Sequence, residues 1–130
     1  MRKILISINP EHVDNIINGI KKFEYRRKAA KKDVSSIIIY ETTPIKRVVA
    51  EAEILEVLEM PLEELWNLTR HASGITKDFY LSYFKGKKVA YAYKLGKVTK
   101  YNEPKPLTEF GIKTAPQSFA GHLGDAGEEG

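Results

Sequence analysis

The chain has 130 residues, a formal charge of +4, three histidines and no cysteine. That length is enough for one domain with its own core, and the missing thiols exclude disulfides and thiolate metal centres. His12, His71 and His122 are too scattered to share a metal, so neither metal nor cofactor is expected. No apolar run is long enough to span a membrane, and the apolar stretch near the start is too short for a signal peptide, so a cytoplasmic protein is expected.

Lys3 to Ile8 reads as a first strand with Ile4, Ile6 and Ile8 on one face. Asn9-Pro10 is a helix start, asparagine as cap and proline at the first helical position. Val13, Ile16, Ile17 and Ile20 recur at helical spacing, which predicts a short amphipathic helix to about Asn18. Gly19 stops it, and Phe23 to Arg27 enters a strand. Ser36 to Tyr40 is a nearly unbroken β-branched run, predicting a strand buried on both faces. In Val48 to Leu58 the apolar phase slips between Ile54 and Leu55, which calls for a bulge, and the small Ala50 and Ala52 suit a narrow barrel interior. Helices are expected over Pro61 to Thr69 and, capped by Thr76, to Phe84. Val89, Tyr91, Tyr93 and Leu95 alternate as a further strand beginning near Lys88, with a last short element around Leu107 to Ile112. After Phe119 few apolar groups remain, so 1–119 is read as the domain and 120–130 as a disordered tail.

The segment Gly19 to Arg27 carries the most chemistry. Alternation in a strand puts Glu24 and Arg26 on one face and Phe23 and Tyr25 on the other. Lys21 has the wrong parity to join Glu24 along a regular strand, so it acts from the turn itself. A cation, a carboxylate and a guanidinium then converge at the mouth of one turn. Charge is also unevenly spread: residues 21 to 32 hold seven basic groups against Glu24 alone, and residues 85 to 100 hold six lysines and no acid. The rest of the chain is therefore net acidic, and the folded domain should have one side that attracts phosphates.

Gly19, Lys21, Glu24 and Arg26 form a G-x-K-x-x-E-x-R pattern after a strand and a helix, and this resembles the signature of the ASCH domain, a branch of the PUA-like superfamily. The likeness covers roughly residues 3 to 119 in the order of elements, including the aromatic stretch Tyr83-Phe84 before Gly86-Lys87. The resemblance implies a small, mainly antiparallel PUA-like β-barrel with flanking helices, an α+β fold, that binds nucleic acid or nucleosides in a cleft beside the turn. It also implies that some members are amidohydrolases acting on acetylated cytidine, some are ribonucleases, and some serve as interaction modules in transcription regulation. The chain departs from the amidohydrolase pattern, having Glu24 where that pattern places its threonine nucleophile.

The candidate ligand-binding residues are Lys21, Glu24, Arg26, Arg27, Tyr40, Lys28, Lys31 and Lys32, with Lys85, Lys87 and Lys88 as further phosphate contacts. Lys21 and Glu24 are the acid/base pair if the cleft is a hydrolase's. Glu24 with Arg26 is equally a brace at the barrel mouth, a role compatible with touching ligand. Tyr40 ends its strand near the expected cleft and is a stacking candidate. Trp66, Tyr91 and Tyr93 lie on apolar faces and read as core, and Phe79, Tyr83 and Phe84 as helix-to-barrel packing. The expected partner is RNA or a nucleoside-like small molecule, taken by a monomer.

Overall fold

The computed structural model describes residues 2–30, 33–112 and the backbone of 119–120. Six strands and three helices follow in the order β1 (Arg2–Ile8), α1 (Pro10–Ile17), β2 (Phe23–Arg26), β3 (Val34–Glu41), β4 (Arg47–Pro61), α2 (Leu62–Thr69), α3 (Lys77–Tyr83), β5 (Val89–Lys105) and β6 (Phe119–Ala120). Short 3₁₀ turns occupy Arg70–Ala72 and Leu107–Phe110. The sheet has the order β2-β5-β4-β3-β1-β6, five main strands with the two-residue β6 at one edge. Among the described residues only β1 and β3 run parallel; the other pairs are antiparallel.

Both faces of the central strands are buried. Ile4, Ile6, Ile37, Ile39, Ala50 and Ala52 pack with Val13 and Ile16 of α1 and with Tyr93. Leu5, Ile38, Tyr40 and Val48 form a second cluster on the opposite face, covered by Leu107, Phe110 and Ile112. A third cluster sets Phe23 and Tyr25 of β2 against Trp66, Tyr80 and Phe84 of the helices. Tyr93 also accepts a hydrogen bond from the Ala30 backbone N–H at 2.8 Å, tying the loop after β2 to the core.

One expectation about the sheet is corrected, while the bulge expected in β4 is present. The sheet does not close into a barrel: β1 and β2 stand far apart in the strand order and share no ladder. β2 is only four residues long, the outer edge of β1 is taken by β6, and α1 packs Val13 and Ile16 into the core cluster that holds β1. The slip in β4 is a pair of register shifts, between Ala52 and Ile54 and between Ile54 and Glu56. They leave Leu55 exposed rather than turned inward, while Leu58 joins the helix-side cluster. β5 runs unbroken through Gly96 as the long partner of β4.

Local signals act as their chemistry suggests, with one exception. Gly19 takes φ +79 beyond α1, and the amides of Ile20 and Lys21 both return to Asn15 O, which aims the chain at β2. Thr76 caps α3 by accepting from Phe79 N–H at 3.1 Å. Asn9 makes no side-chain cap; its Oδ1 accepts from Thr42 Oγ1 instead, at 3.1 Å. Among the described residues no helix is long and apolar enough to cross a membrane. The expected tail falls, beyond Ala120, outside the described residues; Ala120 itself pairs with Leu5.

Candidate functional site

The seam that β1 and β2 leave open is a cavity of about 250 Å³. Ser7, Ile8 and Asn9 at the end of β1 form one wall, and Glu24, Tyr25 and Arg26 of β2 the other. His12 of α1 and Ile75, Phe79 and Tyr83 of the α3 region complete it, with Lys21 entering from the turn. Lys21, Glu24 and Arg26 are thus brought together, Glu24 and Arg26 from β2 and Lys21 from the turn before it.

Each of the three is held by identifiable contacts. Arg26 Nη1 donates to Glu24 Oε2 at 3.2 Å, with both side chains largely buried. Lys21 is 3% exposed; its Nζ donates to Ser73 O at 2.8 Å and sits 4.8 Å from the centre of the Tyr25 ring. Its aliphatic stem lies against Gly74, so closely that a Cβ there would stand 2.7 Å from Lys21 Cβ. The Ser73–Gly74 corner is itself fixed, since Lys22 N–H donates to Ala72 O at 2.8 Å. Burial lowers the proton affinity of Lys21, and the Glu24 carboxylate partly opposes that.

The walls add aromatic and polar groups. The Thr69 hydroxyl donates to Leu65 O at 2.7 Å, so in its 2.7 Å contact with Tyr25 it is the tyrosine that donates. Burial pushes the Tyr25 hydroxyl up to about 12, keeping it neutral. His12 is held below its ordinary value, first by burial and then by the Lys21 charge, against the pull of Glu24 and Glu11. Its Nδ1 is buried and has no hydrogen-bond partner among the described residues. The cavity therefore offers donors at Lys21 and Arg26, acceptors at Glu24 and neutral His12, and flat apolar walls.

The other sequence candidates lie elsewhere. Tyr40 does not reach the cleft: it is buried with Leu5, Ile38 and Val48 on the opposite face of the sheet. Arg27 is exposed and donates to Tyr83 O at 2.8 Å and Lys85 O at 3.0 Å, holding the end of α3 beside β2. Lys28 is exposed nearby, and Lys31 and Lys32 lie outside the described residues. Conversely, Phe79 and Tyr83 line the cleft rather than serving only as packing, and Ser7 and His12 join them. His12 carried one readable signal: it stands one helical turn before buried Ile16, on the flank of the apolar stripe. Among the described residues no group of His, Asp and Glu is arranged to hold a metal.

Comparison with known proteins gives consistent relatives. A 95-residue segment, 72% of this chain and 64% of the relative, is 30% identical to an ASCH domain-containing ribonuclease of Zymomonas mobilis. Segments covering 89% of the chain are 31% and 30% identical to an ATP synthase subunit alpha and a large ribosomal subunit protein uL22 of Ureaplasma parvum, but span only 15% and 38% of those proteins. The crystal structure of ASCH from Zymomonas mobilis superposes with a TM-score of 0.82 at 27% identity, over 91% of this chain and 85% of that one. The ASCH domain model matches residues 6–104, three-quarters of the sequence and every element that walls the cleft, and the chain therefore belongs to the ASCH domain family.

Proposed function

We propose that this chain binds RNA through a single unstacked base, or a modified nucleoside of that size, in the cleft between β1 and β2. The observation that carries the reading is the burial of Lys21, Glu24 and Arg26 in one cavity with aromatic walls. Burying three charges costs several kcal/mol for each ion unless partners compensate it, and a ligand edge with alternating donors and acceptors is such a partner. Glu24 accepts from an exocyclic amine or ring N–H, while Lys21 and Arg26 donate to base carbonyls or phosphate. A volume of about 250 Å³ suits one nucleoside and is too small for a base pair. An RNA-related role accords with the ribonuclease name of the Zymomonas relative.

A second reading, cleavage of RNA in the same cleft, is favoured by the lowered proton affinity of Lys21. Lys21 would exchange a proton with the reacting oxygen, and Glu24 would set its charge state. Deacetylation of cytidine is not supported in the same way, because Glu24 stands in place of the nucleophile that reaction would use.

Binding of short RNAs and nucleosides, with cleavage assayed in parallel, separates the readings. For a binding site, Glu24→Gln and Lys21→Ala each weaken affinity by about 10- to 100-fold, as expected for a charge-assisted hydrogen bond of about 1.5–3 kcal/mol. For an enzyme, substrate affinity is largely kept and turnover drops by about 100-fold or more. Folded variants with unchanged affinity and unchanged cleavage would reject the cleft altogether.

A further inference from the structure

Beside the cleft runs a second, more open groove of about 520 Å³. Its floor is Ala72 to Thr76, and Arg70, His71, Ile20 and Glu11 stand along its edges. The groove and the cleft meet at three shared side chains, His12, Ile75 and Phe79. Behind this junction Ser73, part of the groove floor, uses its carbonyl to hold Lys21 in the cleft. The two hollows therefore adjoin, and the same short segment shapes both.

The groove carries two kinds of group that a nucleotide chain would use. Phe79 is 49% exposed although it sits beside a buried charged cavity, and the His12 ring braces it edge-on at 5.7 Å. An exposed aromatic fixed in this way offers a stacking surface that is indifferent to base identity. Arg70 is exposed and forms no ion pair among the described residues, and His71 beside it is steadied by Phe23 at 5.8 Å. Among the described residues Glu11 is the one acid lining the groove and stands on α1, which directs a phosphate toward the Arg70 side.

We infer that this groove is a second nucleotide subsite, taking the residue of single-stranded RNA that neighbours the one in the cleft, with Phe79 stacking on its base and Arg70 contacting the linking phosphate. The inference rests on the cleft reading above and makes its ligand class specific: a strand, rather than a free nucleoside, fills the whole depression. A free nucleoside needs only the cleft and would leave the aromatic and the unpaired guanidinium without use.

The test compares the four nucleoside 5′-monophosphates with the four RNA homotrimers by calorimetry, after thermal unfolding has shown each variant to be folded. The unaltered protein is expected to bind at least one trimer about tenfold or more tighter than its monophosphate. Arg70→Ala should remove most of that gain, weaken the trimer more than the monophosphate, and lower the log–log salt slope for the trimer by about 0.7. Phe79→Ala should weaken the trimer more than the monophosphate. Equal affinity for monophosphate and trimer, or an Arg70→Ala variant with the trimer affinity and salt slope of the unaltered protein, overturns the subsite and leaves the cleft standing. An unaltered protein that binds neither ligand class overturns the subsite together with the cleft.

Discussion

Lys21 is enclosed by the Tyr25 ring, the Gly74 backbone and the Ser73 carbonyl, which together leave it almost no contact with water. Its proton affinity is lowered, so the unfolded chain binds that proton more readily than the folded one. Between the folded value and the ordinary 10.5 the folded state gains stability as pH rises, and below the folded value the full destabilising effect of the buried charge is present. Lys21→Met keeps the stem and removes the charge. It should raise stability near neutral pH relative to the unaltered protein, or leave it equal, and the difference should shrink as pH climbs from neutral toward the ordinary 10.5. Denaturant unfolding across that range checks it; a parallel offset at every pH would mean that Lys21 does not titrate there. The same variant should move the His12 imidazole upward in an NMR titration, because the Lys21 charge is second only to burial in holding it down. His12 going down or standing still would break the coupling. The convergence of Lys21, Glu24 and Arg26 was legible because a glycine stop followed by strand alternation fixes both where the turn falls and which side chains share a face. His12 was not, since helical spacing identifies the flank of an apolar stripe without naming what the flank will meet.

At the level of elements, the segment from the Arg70–Ala72 turn to α3 decides whether the cleft exists. Gly74 there has φ +69, and an added Cβ would meet the Lys21 stem at 2.7 and 2.9 Å. Gly86, after α3, has φ +85 with open space around an added Cβ. Alanine at either position costs about 1 kcal/mol or more for its positive φ. Only Gly74→Ala should also displace Lys21 and reduce ligand affinity, by about tenfold or more if the ammonium is moved off the ligand. Matched unfolding curves and binding isotherms for the two variants separate the effects; equal weakening of affinity in both would show that Gly74 matters only to stability. The elements themselves are legible in the sequence because their caps and periodicities are local properties. The open seam is not, since closure depends on which strands end beside one another. Tyr40 and Tyr83 show the same limit from another side. Tyr40 belongs to a strand buried on both faces, and nothing in its run of β-branched neighbours says which face fronts the cleft. Tyr83 sits on a helix whose aromatic side looks like packing until the strand opposite it proves to be an edge.

Across the whole molecule, folding divides the second basic segment that looks continuous in the sequence. Arg27 holds the Tyr83 and Lys85 carbonyls, so Lys85, Lys87 and Lys88 come to the side of the domain where Arg26 and Tyr83 wall the cleft. Lys97 and Lys100 lie farther along β5, where Lys100 faces Ala50, Thr99 faces Glu51, and the Lys97 amide donates to Glu53. Acidic groups lie beside the far lysines, Glu53 at the Lys97 amide and Glu41 of β3 within electrostatic reach of Lys100, so the lysines nearer the cleft are expected to be the more attractive to phosphate. Lys28→Ala combined with Lys85→Ala and Lys87→Ala should weaken RNA binding alike for all sequences, because phosphate contacts carry no base information. Its log–log salt slope should fall by about 0.7 for each phosphate that is no longer neutralised. Lys97→Ala with Lys100→Ala should leave both affinity and slope close to those of the unaltered protein. Titrations at several salt concentrations measure the two sets side by side. If the far pair lowers the slope as much as the near triple does, RNA is spread over the β4–β5 surface and the cleft does not mark the centre of its path.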